Sequence, residues 1–205
     1  MLAFLMNHIE FVNAFLNATM VLIWTVYLQV FLMSHLRQGR NVIHIDLGAA
    51  QGARSRCLVT NLGATAIYVQ AIIAELSSKG HASRTRITDR DEISENDIED
   101  PLARTNRGTL QPGQTVDIGS LDDLVSRARI RLEEDWKSDD IDTVTITVVA
   151  ISGQLDRVVG ASKTFNSERD AKGNNFSAKD ILTQQIRPRQ TREQFSKLLS
   201  GQRFT

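Results

Sequence analysis

Few side chains in this sequence have the types and spacing that catalysis or metal binding requires. Four histidines, His8, His35, His44 and His81, are scattered, and none lies at metal-ligand spacing from another histidine, a cysteine or a carboxylate. The lone Cys57 cannot form a multi-cysteine zinc site, and a buried, unreactive thiol is expected there. Nucleophile-elbow, HExxH, P-loop and dinucleotide-binding sequences are absent from the chain. We therefore predict no enzyme, no catalytic residue, no cofactor and no metal site.

An acidic run at 89–100 carries seven carboxylates and begins with Asp-x-Asp, as calcium loops do. An EF-hand loop needs glycine at its sixth position and glutamate at its twelfth, where this chain has Ser94 and Asp100. We reject an EF-hand on these grounds. Blocks of like charge are usually solvated, so a long solvated loop is expected, and a loop that docks a partner is the alternative.

The sequence NLGATA at 61–66 resembles the D/N-x-S-x-x-G turn of PilZ-type cyclic-dinucleotide receptors. It lacks the serine and the final glycine of that pattern. The family also carries an R-x-x-x-R arm upstream, whereas Arg37 and Arg40 are three residues apart and Arg54 and Arg56 are two apart. The resemblance implies an anionic ligand clamped by arginines. It defines the alternative function, a membrane-tethered sensor or effector of a small anion or nucleotide.

These residues follow a segment that is typical of a transmembrane helix. Residues 11–33 contain no charge, no proline and no glycine. At about 1.5 Å per residue this helix would be roughly 34 Å long, enough to cross a hydrocarbon core of about 30 Å. A cleaved signal peptide fits poorly, because no basic residue precedes the apolar run and no A-x-A-like site follows it. We predict an anchor over 1–36, with a buried core helix as the alternative.

The orientation of the anchor follows from its flanking basic residues. None precedes the span, whereas Arg37 and Arg40 follow it closely in a short basic segment, 37–40. Positive residues favour the cytoplasmic side, so the N-terminus is expected outside and the remainder in the cytoplasm, at a bacterial inner membrane. A free cysteine agrees with a reducing compartment.

One face of the predicted span is polar. On a helical wheel the polar side chains fall within an arc of about 160°, which also holds Ala14 and Ala18 at small-xxx-small spacing. Amides in lipid seek partners and small residues allow close approach of helices, so Asn13, Ala14, Asn17 and Ala18 are the predicted helix–helix interface. The partner is a second copy or another membrane protein, and local bonding of the amides is the alternative. The polar residues of the arc are Glu10, Asn13, Asn17, Thr25 and Gln29.

The remainder of the chain has the alternating pattern of an antiparallel β protein. Strands are predicted at 42–47, 55–61, 66–76, 115–118, 142–152 and 157–165, and turn sequences lie between them at Asn61-Leu62-Gly63, Pro112-Gly113 and Gly153. Strands with this spacing and no βαβ alternation indicate a sandwich over 41–166. The arrangement resembles immunoglobulin-like or fibronectin-like sandwiches, a resemblance of architecture that assigns no site.

Two helices are expected beside these strands. Ser120-Leu121-Asp122-Asp123 resembles a capping box and predicts a helix with apolar residues on one face, although alternation over 127–132 also allows a strand. Thr191 opens a predicted short C-terminal helix that ends at Gly201, within a basic tail over 167–205.

Overall, 24 basic and 24 acidic residues cancel, with basic flanks around an acidic middle, so a protein that coats nucleic acid is not indicated. The fold class predicted is mainly β: a single N-terminal transmembrane helix, then an antiparallel sandwich with one inserted helix and a short C-terminal helix. The predicted function is a non-catalytic accessory or adaptor protein in the lipid bilayer.

Overall fold

The computed structural model describes residues 2–38, 42–48, 55–89, 105–132, 140–153, 157–170 and 173–186. The chain divides into two compact units, Met1–Arg40 and Asn41–Thr205. Three parts of the sequence prediction lie outside the described residues: the C-terminal helix that begins at Thr191, the acidic run after Asp89, and Arg40.

The first unit is a single helix, α1, over Leu2–Gln38. Its stretch Ile9–Ser34 is long and apolar enough to span a membrane by length and composition. The side chains of this stretch are almost all exposed, and none of its apolar window is buried, whereas the core helix of a soluble protein is mostly buried.

The second unit is built mainly from antiparallel strands, with one helix, α2, over Leu121–Leu132. Every strand pairing among the described residues is antiparallel. In chain order the strands are β1 Ile43–Gly48, β2 Arg56–Asn61, β3 Ile67–Ser78, β4 His81–Arg86, β5 Gly108–Leu110, β6 Thr115–Ser120, β7 Thr143–Ser152, β8 Arg157–Asp170, β9 Gly173–Ala178 and β10 Gln184–Ile186.

The strands form two sheets. The small sheet has the order β1-β2-β6, and the large sheet has the order β10-β8-β7-β3-β4. β5 pairs with the beginning of β3, on the edge where β4 pairs with its end. β9 and β10 share one edge of β8 in the same way. Among the described strands, β1 is therefore an edge strand of the small sheet, with β2 as its one neighbour.

Both sheets and α2 contribute to one hydrophobic core. Inward residues of the small sheet, such as Ile45 and Val59, belong to the same buried cluster as Ile72 and Ile146 of the large sheet. Phe165 is the largest fully buried side chain. A smaller cluster of Ala71, Ile73 and Val149 comes from residues that alternate with those of the core along β3 and β7. The alternation that predicts the strands thus also separates the two clusters.

Helix α2 begins immediately after Ser120. The Asp123 backbone N–H donates to Ser120 Oγ at 3.1 Å, and the Ser120 N–H lies 3.4 Å from Asp123 Oδ2. This reciprocal pattern is that of a capping box and satisfies backbone donors at the helix start. Residues 127–132 are helical, so the alternative of a strand there is wrong. The buried face consists of Leu121, Leu124, Val125 and Ala128, together with Arg127.

The described part of the tail, up to residue 186, differs from the sequence prediction. β8 continues to Asp170, and the strands β9 and β10 occupy residues that the prediction places in a tail with short helices. β4 and β5 were also absent from the prediction. These strands are short or polar, and they form because a central strand offers them a free edge, which their own sequences do not reveal.

Candidate functional site

The predicted helix–helix interface lies on an exposed surface of α1. Asn13, Ala14, Asn17 and Ala18 are all exposed. Thr25 donates its hydroxyl to the Val21 carbonyl at 2.8 Å and is therefore satisfied within the helix. Within the described helix the amides of Asn13 and Asn17 have no hydrogen-bond partner. In a hydrocarbon environment these amides would require a partner from outside this helix.

Large side chains continue this surface toward the C-terminal half of α1. From Asn17, a groove follows the helix at spacings of three and four residues. Trp24 and Tyr27 meet edge to face, with ring centroids 6.2 Å apart. The polar residues of the span do not indicate this continuation, whereas the i, i+3, i+4 spacing of the aromatic residues could have revealed it. The groove is lined by Asn17, Met20, Val21, Trp24, Thr25, Tyr27, Leu28 and Phe31.

The PilZ-like turn is held by Asn61, whose side chain is completely buried. Asn61 Nδ2 donates to the carbonyls of Thr65 and Leu110, both at 2.9 Å. Its Oδ1 accepts from the Gly63 N–H at 2.9 Å. Both donors and the carbonyl oxygen of this amide are thus engaged by the backbone of its own domain. The asparagine of the turn organises the fold and presents no group to a ligand.

Polar contacts connect Asp89, the first residue of the acidic run, to Thr105 and Arg107. Asp89 forms an isolated antiparallel bridge with Thr105, whose hydroxyl donates to Asp89 Oδ1 at 2.7 Å. Arg107 Nη2 lies 3.4 Å from Asp89 Oδ2. Arg131, on α2, donates to the Arg86 carbonyl at 2.7 Å. The two chain positions that flank residues 90–104 are therefore tied together and surrounded by arginines.

A cleft of about 380 Å³ opens beside this cluster, between β5 and β6. Arg107 and Asp117 both line it, so cationic and anionic groups are balanced. Asp117 accepts from Arg56 Nε at 2.7 Å and from the Gly119 N–H at 2.9 Å. The hydrogen bond to Asp117 raises the pKa of Arg56, against a smaller opposite effect of burial. Among the described lining residues the cleft therefore has one cationic and one anionic side chain, and the carboxylate of Asp117 is already paired with Arg56.

A second polar cluster lies at the free edge of β1. Lys163, whose side chain is 2% exposed, donates to Asp46 Oδ1 at 3.0 Å and to the Ile181 carbonyl at 3.3 Å. Burial alone would raise the pKa of Asp46, but hydrogen bonds from Lys163 and the Leu47 backbone, with the charge of Lys163, outweigh it and lower that pKa. His44 lies 3.7 Å from Asp46. The carboxylate is thus held in its ionised form as the partner of a buried ammonium group.

Neither a nucleophile nor a metal site emerges from the described residues. Cys57 is buried, and burial raises the pKa of its thiol to about 12, so the thiolate needed for reaction is scarce at neutral pH. In the part of the chain that the structure describes, no group of three His, Cys, Asp or Glu side chains could hold a metal ion. Arg37 lies in the last turn of α1, and its orienting role, like that of Arg40, stays a prediction.

Comparisons with protein-family models, with curated proteins and with solved structures find no match to this chain.

Proposed function

We propose that the protein is a single-pass membrane protein of accessory or adaptor type, which assembles with other proteins through its helix and performs no catalysis. The observation that carries the proposal is the exposed face of α1, where Asn13 and Asn17 make no hydrogen bond within the described helix. Amides in a hydrocarbon environment gain from an interhelical partner, and Ala14 and Ala18 allow the close approach that such bonds require. The partner is a second copy or another membrane protein.

The orientation proposed places the N-terminus outside and the β domain in the cytoplasm of a bacterial cell. The basic residues Arg37 and Arg40 follow the span and none precedes it, which supports this orientation. The single cysteine supports a reducing compartment.

The domain proposed for the cytoplasm is a sandwich of immunoglobulin or fibronectin kind. In the seven-stranded form of that architecture the first, second, fifth and fourth strands form one sheet, and the third, sixth and seventh form the other. If β6 counts as the fifth strand, β7 as the sixth and β8 as the seventh, β1-β2-β6 and β8-β7-β3 correspond to this order. β4 and β5 pair with β3 in the large sheet, so no described strand takes the fourth place in the small sheet. The helix α2 then occupies the connection between the fifth and sixth strands.

The non-catalytic assignment is supported by how the polar groups are used. The side chain of Asn61 is saturated by backbone partners, Asp117 is paired with Arg56, and Asp46 is paired with Lys163. Catalytic groups normally face a site where a substrate can reach them. The alternative, a sensor of a small anion or nucleotide, loses its main support because the turn that suggested it is internally satisfied.

The test is an in-membrane association assay on α1 that compares the wild-type span with Asn13→Leu plus Asn17→Leu. The double change keeps the helix apolar and removes interhelical bonds worth about 0.6–2 kcal/mol each. Association is expected to weaken by roughly tenfold if the total loss is about 1.4 kcal/mol. The matched control changes Val12 and Leu16, one residue earlier on the helix, to other apolar residues and should have little effect. Equal association of the double variant and the wild type would refute the interface.

A further inference from the structure

Among the described residues, the edge of β1 that faces away from β2 is bonded by side chains and not by another strand. Gln185 Oε1 accepts from the Ile43 N–H at 3.1 Å, and Gln185 Nε2 donates to the Ile43 carbonyl at 2.6 Å. Two residues along, Thr183 Oγ1 accepts from the Ile45 N–H at 2.9 Å and lies 3.1 Å from the Ile45 carbonyl. Residues 181–186, which we term the strap, therefore supply to β1 the hydrogen bonds that a neighbouring strand would otherwise make.

The strap joins the two sheets because it also belongs to the large one. Its last three residues form β10, and their backbone pairs with Gly160, Ala161 and Ser162 of β8. Gly160 has little room for a side chain, since a β-carbon there would lie 3.1 Å from the Val148 carbonyl oxygen and 3.5 Å from Ile186. The strap therefore connects β8, which pairs with the backbone of β10, to β1, which receives the side chains of Thr183 and Gln185.

Little apolar burial holds the beginning of the strap. Ile181 and Leu182 are 89% and 80% exposed, the highest values among the described large apolar residues. Thr183 and Gln185 act through hydrogen bonds to the backbone of β1. The strap is therefore held to β1 by polar contacts that an identical segment could reproduce.

We propose that the strap exchanges between two copies of this protein, so that Thr183 and Gln185 of one copy complete β1 of the other. The contacts of Thr183 and of β10 are kept in the exchanged form, because the receiving strands are identical. Residues 179–182 change direction and give up the bonds from the Lys179 N–H to the Thr164 carbonyl and from Lys163 to the Ile181 carbonyl. Exchange of an identical element is a low-cost route to a dimer. The inference rests on the proposed function, since helices that associate would hold two domains at a high effective concentration.

The experiment uses two differently tagged full-length chains mixed in detergent micelles, one with Thr183→Cys and the other with His44→Cys. Thr183 Oγ1 lies 3.1 Å from His44 Nδ1, so a short bis-maleimide can join the two positions when the strap contacts β1. A cross-linked product that carries both tags, in excess of the product that chance encounters give in the control below, reports the strap of one chain on the β1 of another. The native Cys57 is buried and stays unmodified. A single chain with both changes measures the cross-linking yield of the contact itself.

The matched control is a mixture of Thr60→Cys and Thr115→Cys chains. These threonines are 2.8 Å apart across β2 and β6, within one sheet, so their contact is not expected to exchange. Strap exchange predicts at least tenfold more doubly tagged product from the Thr183 and His44 mixture than from this control. Equal yields would overturn the inference, and sedimentation of the same samples shows whether the helices still associate. If the chains associate but the two mixtures give equal yields, strap exchange is wrong and the proposed association of the helices stands. If the chains do not associate, strap exchange and the proposed function are both contradicted.

Discussion

The buried amide of Asn61 provides the sharpest test of whether the PilZ-like turn is structural. In Asn61→Ala the Leu110 carbonyl and the Gly63 N–H lose their partners in a buried environment, and the Thr65 carbonyl loses its partner in a partly buried one. A buried polar group left unsatisfied costs about 1–3 kcal/mol. Since the partly buried carbonyl can bind water, we expect a loss of about 2–4 kcal/mol in the free energy of unfolding.

A second variant, Asn61→Asp, separates the role of the donors from that of the acceptor. The carboxylate keeps an oxygen for the Gly63 N–H but places oxygen opposite the carbonyls of Thr65 and Leu110. Burial would raise the pKa of this new carboxyl group in the folded state. With a raised folded-state pKa, stability is retained below the pKa of the unfolded state, near pH 4, and is lost as the pH rises from that value through the folded-state pKa. We therefore expect this variant to be less destabilised at low pH than at pH 7.

The assay is urea unfolding of the full chain in nonionic detergent, followed by the circular dichroism signal of the strands. Asn175→Ala serves as the matched control, because Asn175 is exposed on β9 and should change stability by less than about 0.5 kcal/mol. An Asn61→Ala variant as stable as this control would refute the structural account of the turn. Nucleotide binding that is present in the wild type and lost in a stably folded Asn61 variant would restore the ligand-sensor alternative.

Three further outcomes follow from the topology and the titrating groups. The Asn-Phe-Ser sequence at 175–177 is a glycosylation acceptor on an exposed strand, so insertion into microsomes should leave it unmodified if the domain is cytoplasmic, and a glycan there would reverse the proposed orientation. The pKa of Asp46 is lowered in the folded state, so its pairing contributes stability above the unfolded-state pKa of 3.8, and this stability is lost as the pH falls through the folded-state pKa. In thermal melts, Lys163→Met should therefore lose less stability below about pH 4 than the wild type does. An unchanged pH profile would contradict the pairing. Maleimide at pH 7 should leave Cys57 unmodified until the protein is unfolded, and rapid labelling of the folded chain would show that the thiol is accessible.

The elements that the sequence predicts well are those with strong periodicity. Residues 143–148 alternate between threonine and branched apolar residues, and β7 occupies Thr143–Ser152 with all its apolar residues buried except Ile151. The uncharged run at 11–33 lies within α1, and its prediction as a helix rests on length and composition, which are also local features of the sequence. In both cases the decisive information is local in the chain.

The elements that the sequence analysis missed depend on contacts between distant residues. β4 has the sequence HASRTR, which lacks a hydrophobic pattern, and it forms because the far half of β3 offers an edge. Gln185 lies 142 residues from Ile43, and nothing in the local sequence of either residue indicates that an amide side chain would replace a strand there. Such pairings become visible only when the register of both sheets is known.

The two environments of asparagine in this protein indicate where a partner is needed. In the β domain the amide of Asn61 is buried, and three backbone groups of its own chain satisfy it. On α1 the same functional group at Asn13 and Asn17 is exposed on an apolar helix and has no partner within the described helix. Because an unpaired amide costs free energy in an apolar medium, the domain is complete by itself in this respect and the helix is not. Assembly of this protein should therefore begin in the membrane, and the exchange of the strap at β1 would follow from it.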